Sequence, residues 1–170
     1  DTNTWEIGAR VFRESGSRGF LMSGAHRNAN GSGSADVTVL AESIFQEVHK
    51  EWTEGYNTWQ IDGFNDANHS LPSGTDLVLS NGDGNVNVDV IMTDALIQNG
   101  GFSSFAFNSL SSTDPLNVLV NGAEDGSSFA AFGATSNQQR MFSNSVNTGF
   151  VNLTFEQSIR FNSAFLAAAS

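Results

Sequence analysis

Residues 35–54, ADVTVLAESIFQEVHKEWTE, decide how the rest of the chain is read. Within them Val37, Leu40, Ile44, Val48 and Trp52 recur at spacings of three and four, the repeat that aligns side chains on one face of an α-helix. Gly55 stands where such a helix stops. The periodicity therefore predicts one long amphipathic helix over 35–54, and its neighbours supply strands for it to cover. Ahead of it, 18–23 (RGFLMS) reads as a short buried strand, followed by a loop rich in Gly, Asn and Ser over 24–34. Behind it, 56–61 reads as the next strand, running into an Asp/Asn/Gly loop.

The same alternation continues outward. Asn3 or Thr4 can cap a first helix that reaches Ser15, with Trp5, Val11 and Phe12 as its apolar stripe, Glu6 in the favourable first turn and Gly16 as its stop. Residues 75–80 (TDLVLS) predict a strand. Residues 86–99 predict a helix with Val90, Ile91, Ala95 and Leu96 inward, ended by Gly100 and Gly101. Strands are expected at 102–107, 116–120 (LNVLV) and 149–153, and a closing helix at 155–168 with Ile159, Phe165 and Leu166 on one side. The period of 129–141 is ambiguous. Strands alternating with helices predict a single α/β domain over 1–170, with a mostly parallel or mixed sheet covered by helices on both faces. In such a fold chemistry gathers in loops at the carboxyl ends of strands. Those ends carry Gly24-Ala25-His26-Arg27, Asp62-Gly63-Phe64, Asn81-Gly82-Asp83-Gly84 and the residues after Leu153.

Composition narrows the partners. Acidic residues number 18 against 7 basic ones, a formal net charge of −11, and Lys50 is the only lysine. Such a surface repels phosphate backbones and anionic lipid headgroups, so nucleic acid and membrane surfaces are disfavoured. No apolar run approaches the roughly 20 residues of a membrane-spanning helix. With 39% hydrophobic residues the chain can bury a core. The absence of cysteine removes disulfides, thiolate metal sites and cysteine nucleophiles. The chain opens on Asp1-Thr2-Asn3-Thr4, with no signal peptide and no initiator methionine, as expected of a processed chain. Abundant Ser, Asn and Gly fit an extracellular or periplasmic location. Sequons begin at Asn30, Asn68 and Asn152.

Three clusters bear chemistry. His26-Arg27 pairs a group able to ligate metal or move protons with one able to clamp a carboxylate. Asp62, followed by Asp66, Asn68 and His69, offers oxygen ligands to a hard cation. Asn81 to Asp89 alternates Asx residues like a calcium loop, but Val86 and Met92 occupy the positions where an EF-hand needs glycine and an acid. Asp62, Asp66, Asp83, Asn85 and Asp89 are thus the candidate calcium ligands. His49, within the long helix, is expected at the surface or its boundary. No HExxH, GxSxG, P-loop or GxGxxG occurs.

Several segments, in order, resemble the N-formylglutamate amidohydrolase group and its relatives, which share the zinc carboxypeptidase fold. They are DTNT (1–4), FLMSGAHRNAN (20–30), ADVTVLAESIFQEVH (35–49), WQIDGF (59–64), FGATSNQQR (132–140) and GFVNLTFEQSIR (149–160). The resemblance implies a zinc-carboxypeptidase-like fold and a metal-dependent amide hydrolase, with zinc on two histidines and a glutamate and an arginine holding the substrate carboxylate. Asp62, Val39, Asn152 and Thr154 replace the group's metal and catalytic positions, and its first Pro-His motif is missing. His26, Arg27 and Arg140 survive on the substrate side. The candidate pocket is therefore His26, Arg27, Asp62, His69, Asn137, Arg140 and Asn152, with no catalytic residue assigned. The leading expectation is a non-catalytic, hydrolase-like extracytoplasmic domain that binds a small molecule or peptide or associates with itself. One alternative is an active zinc hydrolase using His26, Asp62 and His69, and another is a calcium-dependent adhesion domain.

Overall fold

A computed structural model of the protein describes residues 3–31, 33–64, 71, 73–82, 86–106, 134 and 136–161. The elements in chain order are α1 (Thr4–Ser15), α2 (Ile44–Thr53), β1 (Thr58–Phe64), β2 (Leu77–Ser80), α3 (Val88–Asn99), β3 (Ser104–Ala106), α4 (Gln138–Ser145), β4 (Phe150–Glu156) and α5 (Gln157–Phe161). The four strands form one mixed sheet in the order β1-β4-β2-β3. β1 runs parallel to β4, β2 parallel to β3, and β2 antiparallel to β4. Helices and a small mixed sheet are the α/β organisation the alternation predicts.

β4 is central and every one of its residues is buried. Its side chains alternate between two faces. Val151, Leu153 and Phe155 share one face with Leu77 and Leu79 of β2, and Ile7 of α1 and Val90 of α3 complete that core. Burial of each such side chain is worth about 1.5–3 kcal/mol relative to exposure. The opposite face carries Asn152, Thr154 and Glu156, all buried. Register sets Gln60 beside Asn152 and Asp62 beside Thr154 on β1, and Ser80 beside Asn152 on β2. This second face mixes these polar groups with the buried Phe150, Val78 and Phe64, and lies beneath the start of α4, where Asn137 donates to Gln60 Oε1 at 2.7 Å.

Several expectations are corrected. The long helix is shorter than 35–54: α2 begins only at Ile44. Ahead of it, Asp36 Oδ1 accepts from the Thr38 amide at 3.1 Å and stabilises a turn through β-branched residues. Ser43 then caps α2 by accepting from the Gln46 amide at 3.1 Å. The face α2 buries is also not the apolar one, for Gln46 and His49 are buried while Ile44 is 86% exposed. In α3 Val90 turns inward as expected, but Ile91 and Leu96 are exposed. Trp5 and Phe12 are likewise exposed on α1, where Ile7 is buried in the core and Val11 packs against it.

Residues 18–23 form no strand. β4 runs past 153 to Glu156, and the closing helix starts at Gln157. The strand expected at 116–120 lies outside the described residues. The boundaries of α1 and α3 agree with expectation. Gly16 closes α1 at φ 68, a left-handed conformation that glycine adopts at no steric cost. Asn87 caps α3 through its side chain.

Candidate functional site

Asp62, Gly63 and Phe64 are the last three residues of β1, paired with Thr154, Phe155 and Glu156 of β4. Arg27 Nη2 donates to both carboxylate oxygens of Asp62 at 3.0 Å, and the Gly63 amide donates to Asp62 Oδ1 at 2.9 Å. The Asp62 charge, and more weakly that of Asp36, raises the Arg27 pKa against the opposing effect of burial. Beside this pair Arg160 lies across Gly63. A Cβ at Gly63 would sit 2.6 Å from Arg160 Cζ, so only glycine admits the guanidinium. Arg160 Nη2 donates to the Phe64 carbonyl at 2.7 Å. Desolvation lowers the Arg160 pKa, while Glu156 and Asp62 pull it back up. Two cations and two carboxylates are thus interleaved and mutually neutralised.

On the second sheet face, Asn137 links α4 to the sheet. Its Nδ2 reaches Gln60, and its Oδ1 accepts from the Arg140 amide at 3.0 Å as the helix cap. Asn152 Nδ2 donates to Thr154 Oγ1 at 3.0 Å. Among the described residues, the buried Asn152 Oδ1 and Ser143 Oγ have no hydrogen-bond partner. Arg140 packs over Gly82, whose φ of 80 also demands glycine. Behind α4, Gln139 Nε2 donates to Gln46 Oε1 at 2.7 Å and to the Val37 carbonyl at 3.1 Å, tying α2 and the 35–43 turns to α4.

His49 sits in that same seam rather than at the surface, 5% exposed, with its ring edge-on to Phe142. Burial holds its pKa below the ordinary 6.5.

A groove of about 1150 Å³ is bounded by α1, residues 17–27, α2, β1 and part of α3. Its walls are mostly apolar and aromatic: Trp5, Phe12, Phe20, Trp52, Tyr56 and Trp59. Arg18 lies 4.4 Å above the Tyr56 ring at one end, and the Arg27–Asp62 pair closes the other. Gly19 lies against Trp52, and Phe20 against both Gly8 and the Phe12 ring, with centroids 6.0 Å apart in the aromatic pair.

No known family, curated protein or solved structure matches this chain.

The structure joins Arg27 to Asp62, although Arg27 follows no strand and Asp62 lies within β1, and His26 adjoins them in a turn where its Nδ1 accepts from the Asn28 amide at 3.1 Å. It sets Asn137 and Asn152 on one face as buried packing groups. It does not gather all candidates at one end. Because β2 runs antiparallel to β4, Asn81 and Gly82 lie at the end of the sheet away from Asp62. Asp89 stands beside Gly149, at the start of β4, whereas Asp62 pairs with Thr154 near its end. At about 3.3 Å per residue these two carboxylates cannot share a cation. Among the described residues no group of three His, Cys, Asp or Glu could hold a metal ion. His69, Asp66, Asp83 and Asn85 lie outside the described residues. Sequence reasoning missed Arg160, Gln60 and the Gln46–Gln139 pair, because nothing in a single sequence marks a polar residue for the interior.

Proposed function

We propose that this chain is a non-catalytic binding domain whose ligand, an apolar or aromatic molecule or side chain, occupies the groove between α1, α2 and β1. The observation that carries this reading is the groove itself. Its volume of about 1150 Å³ is slightly above that of ordinary small-molecule sites, and six aromatic side chains line it, with the Arg27–Asp62 ion pair at one end. Trp and Tyr bring large contact area at low conformational cost. The polar groups nearby support binding over turnover. Arg27 and Asp62 satisfy each other, and His49 is enclosed between helices, where its Nε2 meets the Thr53 hydroxyl at 3.3 Å while that hydroxyl donates to the His49 carbonyl at 2.7 Å. The hydrolase-like, zinc-carboxypeptidase-like ancestry implied by the ordered motifs belongs to the same reading, with the fold retained and the groove put to binding.

The test is a fluorescence titration of the folded protein with 1-anilinonaphthalene-8-sulfonate, an aromatic probe. Saturable binding with one site per chain is expected, weakened about tenfold or more by Trp52→Ala, equivalent to about 1.4 kcal/mol. Absence of binding to the native protein, or identical binding by the Trp52 variant, would defeat the assignment of this groove.

A further inference from the structure

The groove has one wall that is an unfinished sheet edge. Among the described residues β1 is an edge strand of the sheet. The Thr58 amide donates to the Gly149 carbonyl at 2.8 Å, which fixes the phase of the ladder: the main-chain groups of Thr58, Gln60 and Asp62 face β4. Those of Trp59 and Ile61 therefore face outward. The amide of Gly63, next in that outward row, is taken by its neighbour's carboxylate. Among the described residues no hydrogen bond reaches the outward groups of Trp59 or Ile61.

The opposite wall is residues 18–23. This RGFLMS run has the composition of a buried strand, yet it lies unpaired. It is held at both ends against β1. Arg18 stacks on Tyr56, two residues before β1 begins, and Arg27 bonds Asp62 near its end. The two pins fix direction: the segment runs parallel to β1. A strand, α2 and a parallel neighbouring strand make a βαβ unit, the ordinary way to join parallel strands. Between the pins the segment has nine residue steps and β1 has six, so the outer chain carries slack and bows away. The groove is the space beneath the bow.

We infer that residues 20–23 are a strap with a second position, in which they pair in parallel with Trp59 and Ile61 as a fifth strand. Adjacent strands lie about 4.8 Å apart, so this pairing brings these two walls together and closes the part of the groove between them. Strand pairing and ligand occupancy exclude each other, and a ligand acts by holding the strap off the edge. A register that keeps Arg18 over Tyr56 sets Leu21 beside Trp59. The strap's regulatory role rests on the binding reading above, whereas its pairing does not.

Two measurements separate these. Amide exchange of the wild-type protein, read residue by residue by NMR without ligand, tests the pairing: Trp59 and Ile61 are expected to exchange about tenfold or more slowly than exposed amides, and to lose that protection in Met22→Pro, which breaks a strap strand. Unprotected Trp59 and Ile61 amides in the wild type would overturn the strap. The second measurement uses Ser23→Cys with Ile61→Cys, which the same register sets side by side, made in a chain that has no cysteine of its own. Mild oxidation should form the disulfide, which requires Cα atoms within about 7 Å, and should abolish the probe binding that the reduced form of the same variant retains. Protected amides without probe binding in either form would retain the strap and reject the groove as a ligand site. If the double variant fails to fold, the wild-type exchange data decide the strap alone.

Discussion

Replacing Gly63 by alanine should unfold the carboxyl end of β1 from within. The added Cβ would lie 2.6 Å from Arg160 Cζ and 2.7 Å from Nη1, distances no real contact tolerates. The guanidinium must move, yet Arg160 is only 5% exposed and its Nη2 holds the Phe64 carbonyl at 2.7 Å. Losing that charge-assisted bond costs about 1.5–3 kcal/mol. The backbone adds no strain, since Gly63 is not in a left-handed conformation. The expected loss is about 2–3 kcal/mol, or about 4–12 °C in Tm for a domain of this size. The decisive assay is a double-mutant cycle by urea denaturation with Gly63→Ala, Arg160→Ala and both. With Arg160 truncated the clash has no partner, so Gly63→Ala should then cost under about 0.5 kcal/mol. Additive costs would refute the argument that the glycine exists to seat this arginine.

Two further outcomes follow from the α2–α4 seam. Because burial lowers the His49 pKa, the unfolded chain binds a proton there before the native one does. Stability should therefore be full above about pH 6.5 and fall as pH drops from there toward the depressed native value, by at most about 1.4 kcal/mol per unit. Urea midpoints measured from pH 5 to pH 8 should show this dependence in the wild type and lose it in His49→Phe; an unchanged profile in the variant would assign it elsewhere. Gln139→Ala removes the donor shared by Gln46 and the Val37 carbonyl, so thermal unfolding should show a loss of about 1–3 kcal/mol, with the 35–43 turns becoming the first site of limited proteolysis.

Much of the element order is legible in the sequence, because α1, α3, β1 and β4 carry local signals, a glycine stop or a short β-prone run, although Asn3 makes no side-chain cap bond to α1 and the cap that forms, Asn87 on α3, is not anticipated from the sequence. Position within the sheet is not. The antiparallel placement of β2 depends on which edge of β4 it meets, a long-range choice that leaves no local trace, and it splits strand-end loops that sequence reasoning groups together. The apolar repeat in 35–54 misleads for a related reason. Val37 and Leu40 share helical spacing with Ile44 and Val48, but Asp36 and Ser43 bond the backbone locally and end the helix between them. The candidate site is half legible. Arg27 and Asp62 lie in two of the segments singled out in the sequence, but Arg27 follows no strand and Asp62 sits inside β1. Asn137 and Asn152 are found as well, but their polarity serves burial, and the sequon at Asn152 is closed to modification in the fold because that side chain is 1% exposed.

The central position of β4 has a consequence for how the chain is made. Its two neighbours, β1 and β2, leave the ribosome long before it, and neither touches the other within the sheet. Both wait for residues 150–156 to arrive, and the β1–β4 ladder closes across a sequence gap of 92 residues, from Thr58 to Phe150. Contacts of such separation slow folding, since a long loop must be ordered before any of them forms. Synthesis thus delivers a nascent chain whose apolar strands stay unpaired until nearly all of the residues described are out, the interval in which a chaperone has most to protect.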